Sequence, residues 1–156
     1  MLYFAYGSNL DWSQMRERCP SARFVSVAKL KDHRLAFTRK SVERRCGVSD
    51  VIPDRGLNVW GVVYEIDEPD LVRLDKCEGF VPGRGREENS YFREERYVYR
   101  DGNDDAPLLA LVYFAIPQNN PPRPNAEYKR LIVDGARHWH LPVDYILELE
   151  QIEVVA

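Results

Sequence analysis

Cysteine is scarce in this chain: Cys19, Cys46 and Cys77 are the only three, and none belongs to a Cys-x-x-Cys pair. Three thiols cannot all pair, so a disulfide framework is excluded and a reducing compartment fits better. No apolar run approaches the ~18 residues of a membrane-spanning helix. The opening Met1-Leu2-Tyr3-Phe4-Ala5-Tyr6 lacks the basic region and the roughly 7–15-residue apolar stretch of a secretory signal. A cytoplasmic protein, not attached to a membrane, is expected. Glycine-rich phosphate loops and dinucleotide fingerprints are also absent. His138 and His140 lie two apart on a predicted helix and diverge, and their spacing to His33 gives no support for a metal centre. Cys77 has no Cys–His signature around it and reads as a packed or helix-surface thiol.

Neither is there a strong charge of one sign. The formal net charge is −3, and the densest basic run, Arg39-Lys40 to Arg44-Arg45, is short and contains Glu43. That run reads as a solvated loop, and a nucleic-acid partner is not expected. Apolar residues supply 44% of the chain and charged residues 30%, an ordinary globular balance. At this length about two-thirds of the unfolded surface can be buried, enough for one domain over residues 1–156.

Periodicity assigns the elements. Leu2 to Tyr6 is a wholly apolar run ending at Gly7, as in a strand covered on both faces. Asp11 can cap a helix from Trp12 to Arg18 that stops before Pro20. Phe24 to Thr38 holds two possible strands with a bend at Lys31-Asp32, and Gly47 to Ile52 is a weaker strand. Val59 to Ile66 alternates and is a stronger one, with Trp60 assigned to the core. A helix then begins near Asp67 or Glu68 with Pro69 in its first turn, and ends at Gly79. Gly79 to Ser90 reads as a loop, and Tyr91 to Arg100 and Leu108 to Ile116 as strands joined by Asp101-Gly102-Asn103. Four prolines between Pro117 and Pro124 argue against regular structure. Tyr128 to Trp139 and Pro142 to Ile152 close the chain as helices, so the class is α+β: a curved or barrel-like sheet with flanking helices.

Two segments carry possible chemistry. A buried strand turning through Tyr6-Gly7-Ser8-Asn9-Leu10 into a helix exposes backbone amides that can converge on an oxygen, although Gly-Ser-Asn is also ordinary turn chemistry. Glu78 falls on the stripe of Leu71 and Leu74, at the negative end of its helix. Burial and the dipole both disfavour its ionised form and raise its pKa. The alternative is a partly exposed helix-end glutamate that pairs with Arg84 or Arg86.

In combination these segments resemble the γ-glutamylcyclotransferase superfamily, which includes plant avirulence-induced proteins and γ-glutamylamine cyclotransferases. The resemblance rests on Tyr3-Phe4-Ala5-Tyr6-Gly7-Ser8-Asn9-Leu10, Val59-Trp60-Gly61-Val62-Val63-Tyr64, Leu74-Asp75-Lys76-Cys77-Glu78-Gly79, and Tyr128-Lys129-Arg130-Leu131-Ile132 followed by Gly135-Ala136. It implies a small mixed β-barrel with helices, and a cofactor-independent enzyme that cyclises a γ-glutamyl group to 5-oxoproline and releases an amine. It also implies that Tyr6, Gly7, Ser8, Asn9 and Leu10 bind substrate, that Glu78 is the general base and acid, and that Tyr128 and Tyr91 contact substrate. The Gly79–Ser90 segment is longer than in the animal glutathione-pathway enzymes. As a lid or specificity element it would bring Arg84 and Arg86 to a substrate carboxylate; the other reading is a surface loop. A non-catalytic module that binds a small γ-glutamyl or anionic metabolite is the competing function. The oligomeric state is open.

Overall fold

The computed structural model describes all 156 residues, Met1–Ala156. Leu2–Ala5 (β1) is apolar on both faces and takes a central place accordingly. It pairs antiparallel with Cys46–Glu65 (β3), from Leu2↔Glu65 to Ala5↔Val62, and parallel with Pro107–Ala115 (β5) at Tyr3↔Leu111. With Arg23–Ser41 (β2) and Tyr91–Arg100 (β4), the strand order β1-β3-β2-β4-β5 closes into a mixed barrel. The expected α+β class and barrel are both present. Closure rests on short contacts, β2 with β4 at Ala28↔Arg100 and Lys29↔Tyr99, and the outer half of the β2–β3 hairpin extends beyond the barrel paired only with itself.

The long β2–β3 hairpin differs from the sequence reading. Instead of two shorter strands on each side, β2 and β3 each run unbroken for 19 and 20 residues. The turn-like residues at Asp32 and Pro53-Asp54-Arg55-Gly56 form a bulge rather than a break. Pairing resumes from Lys31↔Asn58 to His33↔Pro53 across it. Asp32 (φ 57°) and Gly56 (φ 87°) absorb the bend, and the Gly56 amide donates to Asp32 Oδ1 at 2.9 Å. Trp60 also departs from expectation. It is only half-buried, packed between Gly102 and the Lys29 ammonium, 5.8 Å from its ring.

Four helices sit against the barrel, each started by a side-chain cap except the last. Asp11 accepts from the Gln14 amide at the head of Trp12–Arg18 (α1). Asp67 accepts from Asp70 at the head of Glu68–Cys77 (α2), and Asn125 from Tyr128 at the head of Ala126–His138 (α3). Val143–Glu150 (α4) starts after Pro142. Helix α2 stops where glycine permits it. Gly79 takes φ 65°, its amide donates to Lys76 O and the Phe80 amide to Asp75 O, a paired ending that needs a left-handed residue. Glu78 is therefore the capping residue of α2, aimed away from the helix body. None of these helices is long and apolar enough to cross a membrane.

Helix α3 locks the turn that follows β1. Tyr128, Ile132, Val133 and Ala136 are buried, the Trp139 indole donates to Leu10 O at 2.9 Å, and Gly135 lies flat on the Leu10 backbone. A Cβ at position 135 would sit 2.6 Å from both Leu10 Cβ and Leu10 O, so Gly135→Ala is expected to destabilise the protein by about 1–3 kcal/mol through overpacking. A lowered urea midpoint without a changed slope checks it.

Candidate active site

The end of β1 and the turn after it, the end of α1, the β2–β3 hairpin, the end of α2, the start of β4 and the start of α3 meet around one cavity of about 300 Å³. Tyr6, Gly7, Ser8, Asn9, Glu78, Tyr91 and Tyr128 all line it, although they are drawn from across the chain. Leu10 is the exception among the expected residues. Its side chain is fully buried beneath Gly135 and reaches no cavity surface; its contribution is to fix the turn.

Glu78 faces Asn9. Its Oε1 lies 3.5 Å from Asn9 Nδ2 and 4.0 Å from the Arg18 guanidinium, with 16% of the side chain exposed. Burial raises the carboxyl pKa above its ordinary 4.5; Arg18 and Arg44 pull it back down, and Asp75 adds to the rise. A carboxylate so placed can accept a proton and return it. Arg84 and Arg86 are not its partners. Arg84 is bound to Asn89 Oδ1, and Arg86 pairs with Glu94 and stacks on Phe92.

The Asn9 amide has its orientation determined on both sides. Gln14 Nε2 (2.9 Å) and Arg18 (3.2 Å) both donate to Oδ1, which leaves Nδ2 to face the Tyr3 hydroxyl at 3.0 Å and Glu78. Gln14 also donates to Ser8 Oγ at 2.8 Å and accepts from Arg44 at 2.8 Å. One side chain of α1 thus holds the whole turn. The buried Gly7 amide has no acceptor in the protein, which leaves it free for a ligand oxygen.

Opposite the turn, Ser49 is a node. Its amide donates to the Tyr128 hydroxyl at 3.0 Å, its Oγ lies 2.8 Å from the same oxygen, and its carbonyl accepts from Tyr91 at 2.5 Å. Burial pushes both phenols upward, so they stay protonated. Next to it, the buried Asp50 carboxylate accepts from Thr38 and from the amides of Val51 and Ala115. Tyr128→Phe would leave the buried Ser49 amide unpaired, at a cost of about 1–3 kcal/mol. A thermal melt beside that of the wild type measures it.

Behind Glu78, Asp75 accepts from Tyr113 at 2.5 Å and from both Arg93 donors. This buried pair stiffens the cavity wall. Gln14, Arg18, Ser49 and Tyr113 were not recognised from the sequence. Gln14 and Arg18, one helical turn apart just after the Gly-Ser-Asn turn, offered a signal; Ser49 offered none. Of the two readings of the Gly79–Ser90 segment, the arrangement is that of the surface loop. Asn89, 2% exposed, receives the Val81 amide and the Arg84 guanidinium, so the loop closes on itself, and only its two ends line the cavity. The β2–β3 hairpin tip lines the cavity more extensively. Arg39, Lys40 and Arg44, read from sequence as a solvated run, stand in the cavity wall, because the hairpin carries them over the barrel mouth.

Comparison with known proteins agrees with this frame. A solved structure described as a γ-glutamyl cyclotransferase superposes with a TM-score of 0.87 at 31% identity, covering 99% of this chain and 89% of that one. The fold is thus that of the γ-glutamylcyclotransferases. The AIG2-like family model matches residues 58–149. Curated γ-glutamylcyclotransferases are 32% identical in Homo sapiens and 33% in Mus musculus, each match covering 97% of this chain and 78% of the relative. The chain belongs to the AIG2-like family and stands among the γ-glutamylcyclotransferase-like enzymes.

Proposed function

We propose that this chain cyclises the γ-glutamyl group of a γ-glutamyl amine, amino acid or peptide to 5-oxoproline and releases the amine, with Glu78 as general base and then general acid. The observation that carries the reading is that a mostly buried carboxylate, Glu78, and the buried Gly7, whose amide makes no hydrogen bond within the protein, line one cavity. Similarity to curated γ-glutamylcyclotransferases supports the reaction class.

The substrate supplies its own nucleophile. Glu78 takes a proton from the α-ammonium, and the freed amine attacks the γ-carbonyl carbon. A carbon–nitrogen bond forms, closing a five-membered ring, while the carbonyl electron pair moves to oxygen. The Gly7 amide donates to that oxyanion. Collapse restores the carbonyl and breaks the bond to the leaving nitrogen, which receives the proton from Glu78. The freed carboxylate then takes the second proton from the new ring nitrogen and passes it to the released amine, which departs as its ammonium. Oriented intramolecular attack reaches effective molarities on the order of 10⁵–10⁸ M, so positioning and one proton carrier suffice. The tyrosines Tyr6, Tyr91 and Tyr128, together with Asn9 and Ser8, hold the bent conformer.

The test is incubation of the protein with a panel of γ-glutamyl compounds and assay for 5-oxoproline. Catalytic release from at least one member is expected. Saturable binding with no product from any member would overturn the catalytic reading in favour of a binding module.

A further inference from the structure

The β2–β3 hairpin tip carries charge that the cyclisation itself does not use. Five cationic side chains and two carboxylates line the cavity, in a chain whose net charge is −3. An excess of positive charge concentrated in a cleft of an acidic protein selects an anionic ligand. Arg18 lies beside Glu78 and Asn9, where the proposed reaction puts the α-amine and its neighbouring α-carboxylate. Of the other four, Lys40 and Lys76 are exposed, which leaves the half-buried Arg39 and Arg44. Arg39 donates to Ile116 O and Arg44 to Gln14 Oε1; both acceptors are neutral, and neither guanidinium has an ion-pair partner.

These two groups are held in place rather than solvated. The Arg44 guanidinium lies 4.9 Å from the centre of the Tyr128 ring. The hairpin behind them is braced by the proline-rich segment: Lys40 N donates to Gln118 Oε1, Gln118 N to Thr38 O, and Gly47 N to Arg123 O. Gly47 packs so closely on Pro122 that no side chain fits there. A positioned guanidinium without a counterion, facing a cavity, matches the planar geometry of a carboxylate.

We propose that Arg39 and Arg44 form a subsite for a carboxylate on the leaving amine, so that the preferred substrates are γ-glutamyl amino acids or peptides rather than neutral γ-glutamylamines. This assignment rests on the cyclotransferase reading. It places leaving-group selection on the β2–β3 hairpin and not on the Gly79–Ser90 loop.

A matched pair of substrates separates the two claims. γ-Glutamylalanine and γ-glutamylethylamine differ in one carboxylate on the released amine, and 5-oxoproline reports both. The wild-type protein is expected to favour γ-glutamylalanine in kcat/KM by about 10–100-fold, the range for losing one charge-assisted hydrogen-bonded contact. In Arg39→Gln/Arg44→Gln that ratio is expected to collapse toward unity. Arg44→Lys, which keeps the charge and loses the planar fork, is expected to fall between. No wild-type preference, or a ratio preserved in the double variant, overturns the subsite while leaving the cyclisation intact. Release of 5-oxoproline from neither substrate, nor from any other γ-glutamyl compound, removes the cyclisation and the subsite together.

Discussion

Glu78→Gln is expected to lower turnover by roughly 10²–10⁴-fold, the usual worth of a positioned proton carrier, while raising thermal stability. The first effect follows from the reaction. The amide is close in size to the carboxylate and keeps an oxygen for Asn9, but it cannot accept the ammonium proton. The second effect follows from linkage. Glu78 has a folded-state pKa above its unfolded value, chiefly because burial penalises its charge. The folded state therefore binds that proton more tightly than the unfolded chain does. Its contribution to stability is fully present below the unfolded pKa and is lost as pH rises through the folded one. Above the folded-state pKa the ionised Glu78 is a destabilising feature, and neutral Gln removes it. A variant that is inactive but melts higher is the signature of a residue kept for chemistry rather than for folding. A variant that is inactive and melts well below the wild type assigns Glu78 a structural role instead. Calorimetric melts beside steady-state assays decide between them.

Gly7→Ala is expected to reduce kcat/KM by on the order of 10²-fold, with KM and kcat both affected. A Cβ at position 7 would overlap Ser49 Oγ and lie 3.4 Å from Ser49 Cβ. Ser49 cannot yield freely, because its amide, hydroxyl and carbonyl are tied to Tyr128 and Tyr91. The displacement passes to both phenols, and the added methyl group also crowds the free Gly7 amide. Loss of one oxyanion donor costs about 10²–10³ in rate, and a misplacement of about 1 Å has a similar effect. Near-wild-type activity in Gly7→Ala would mean that Ser49 rotates away without displacing either phenol or the Gly7 amide.

Much of this was legible in the sequence because it depends on local chemistry. Asp11, Asp67 and Gly79 mark helix ends through backbone hydrogen bonding that spans only a few residues. The apolar run of β1 marks a strand buried on both faces. Glu78 stood out as a carboxylate on an apolar stripe, although as the capping residue of α2 it turns toward a cavity and not into the core. The long hairpin was harder. Asp32 and Gly56 are turn residues, and only the pairing partner across the ladder decides whether they end a strand or bulge it.

The same limit applies to the site. Ser49 carries no distinguishing pattern, and its importance comes from two tyrosines 42 and 79 residues away. The Arg39–Arg45 run reads as solvated because nothing within it states that a hairpin of this length folds back over the barrel mouth. Arg84 and Arg86 failed as partners for the opposite reason. They are near Glu78 in sequence, but Asn89 and Glu94 engage them first.

The central claim is that one buried carboxylate carries the proton in an intramolecular cyclisation. The pH dependence of kcat/KM for 5-oxoproline release tests it most directly, because it reports the ionisation of groups in the free enzyme. The proposed reaction requires Glu78 ionised, so the profile should fall toward acid through a pKa displaced above the ordinary glutamate value of 4.5. In Glu78→Gln the residual rate should lose that limb. An acid limb retained unchanged in the variant, or full activity without the carboxylate, would contradict the account.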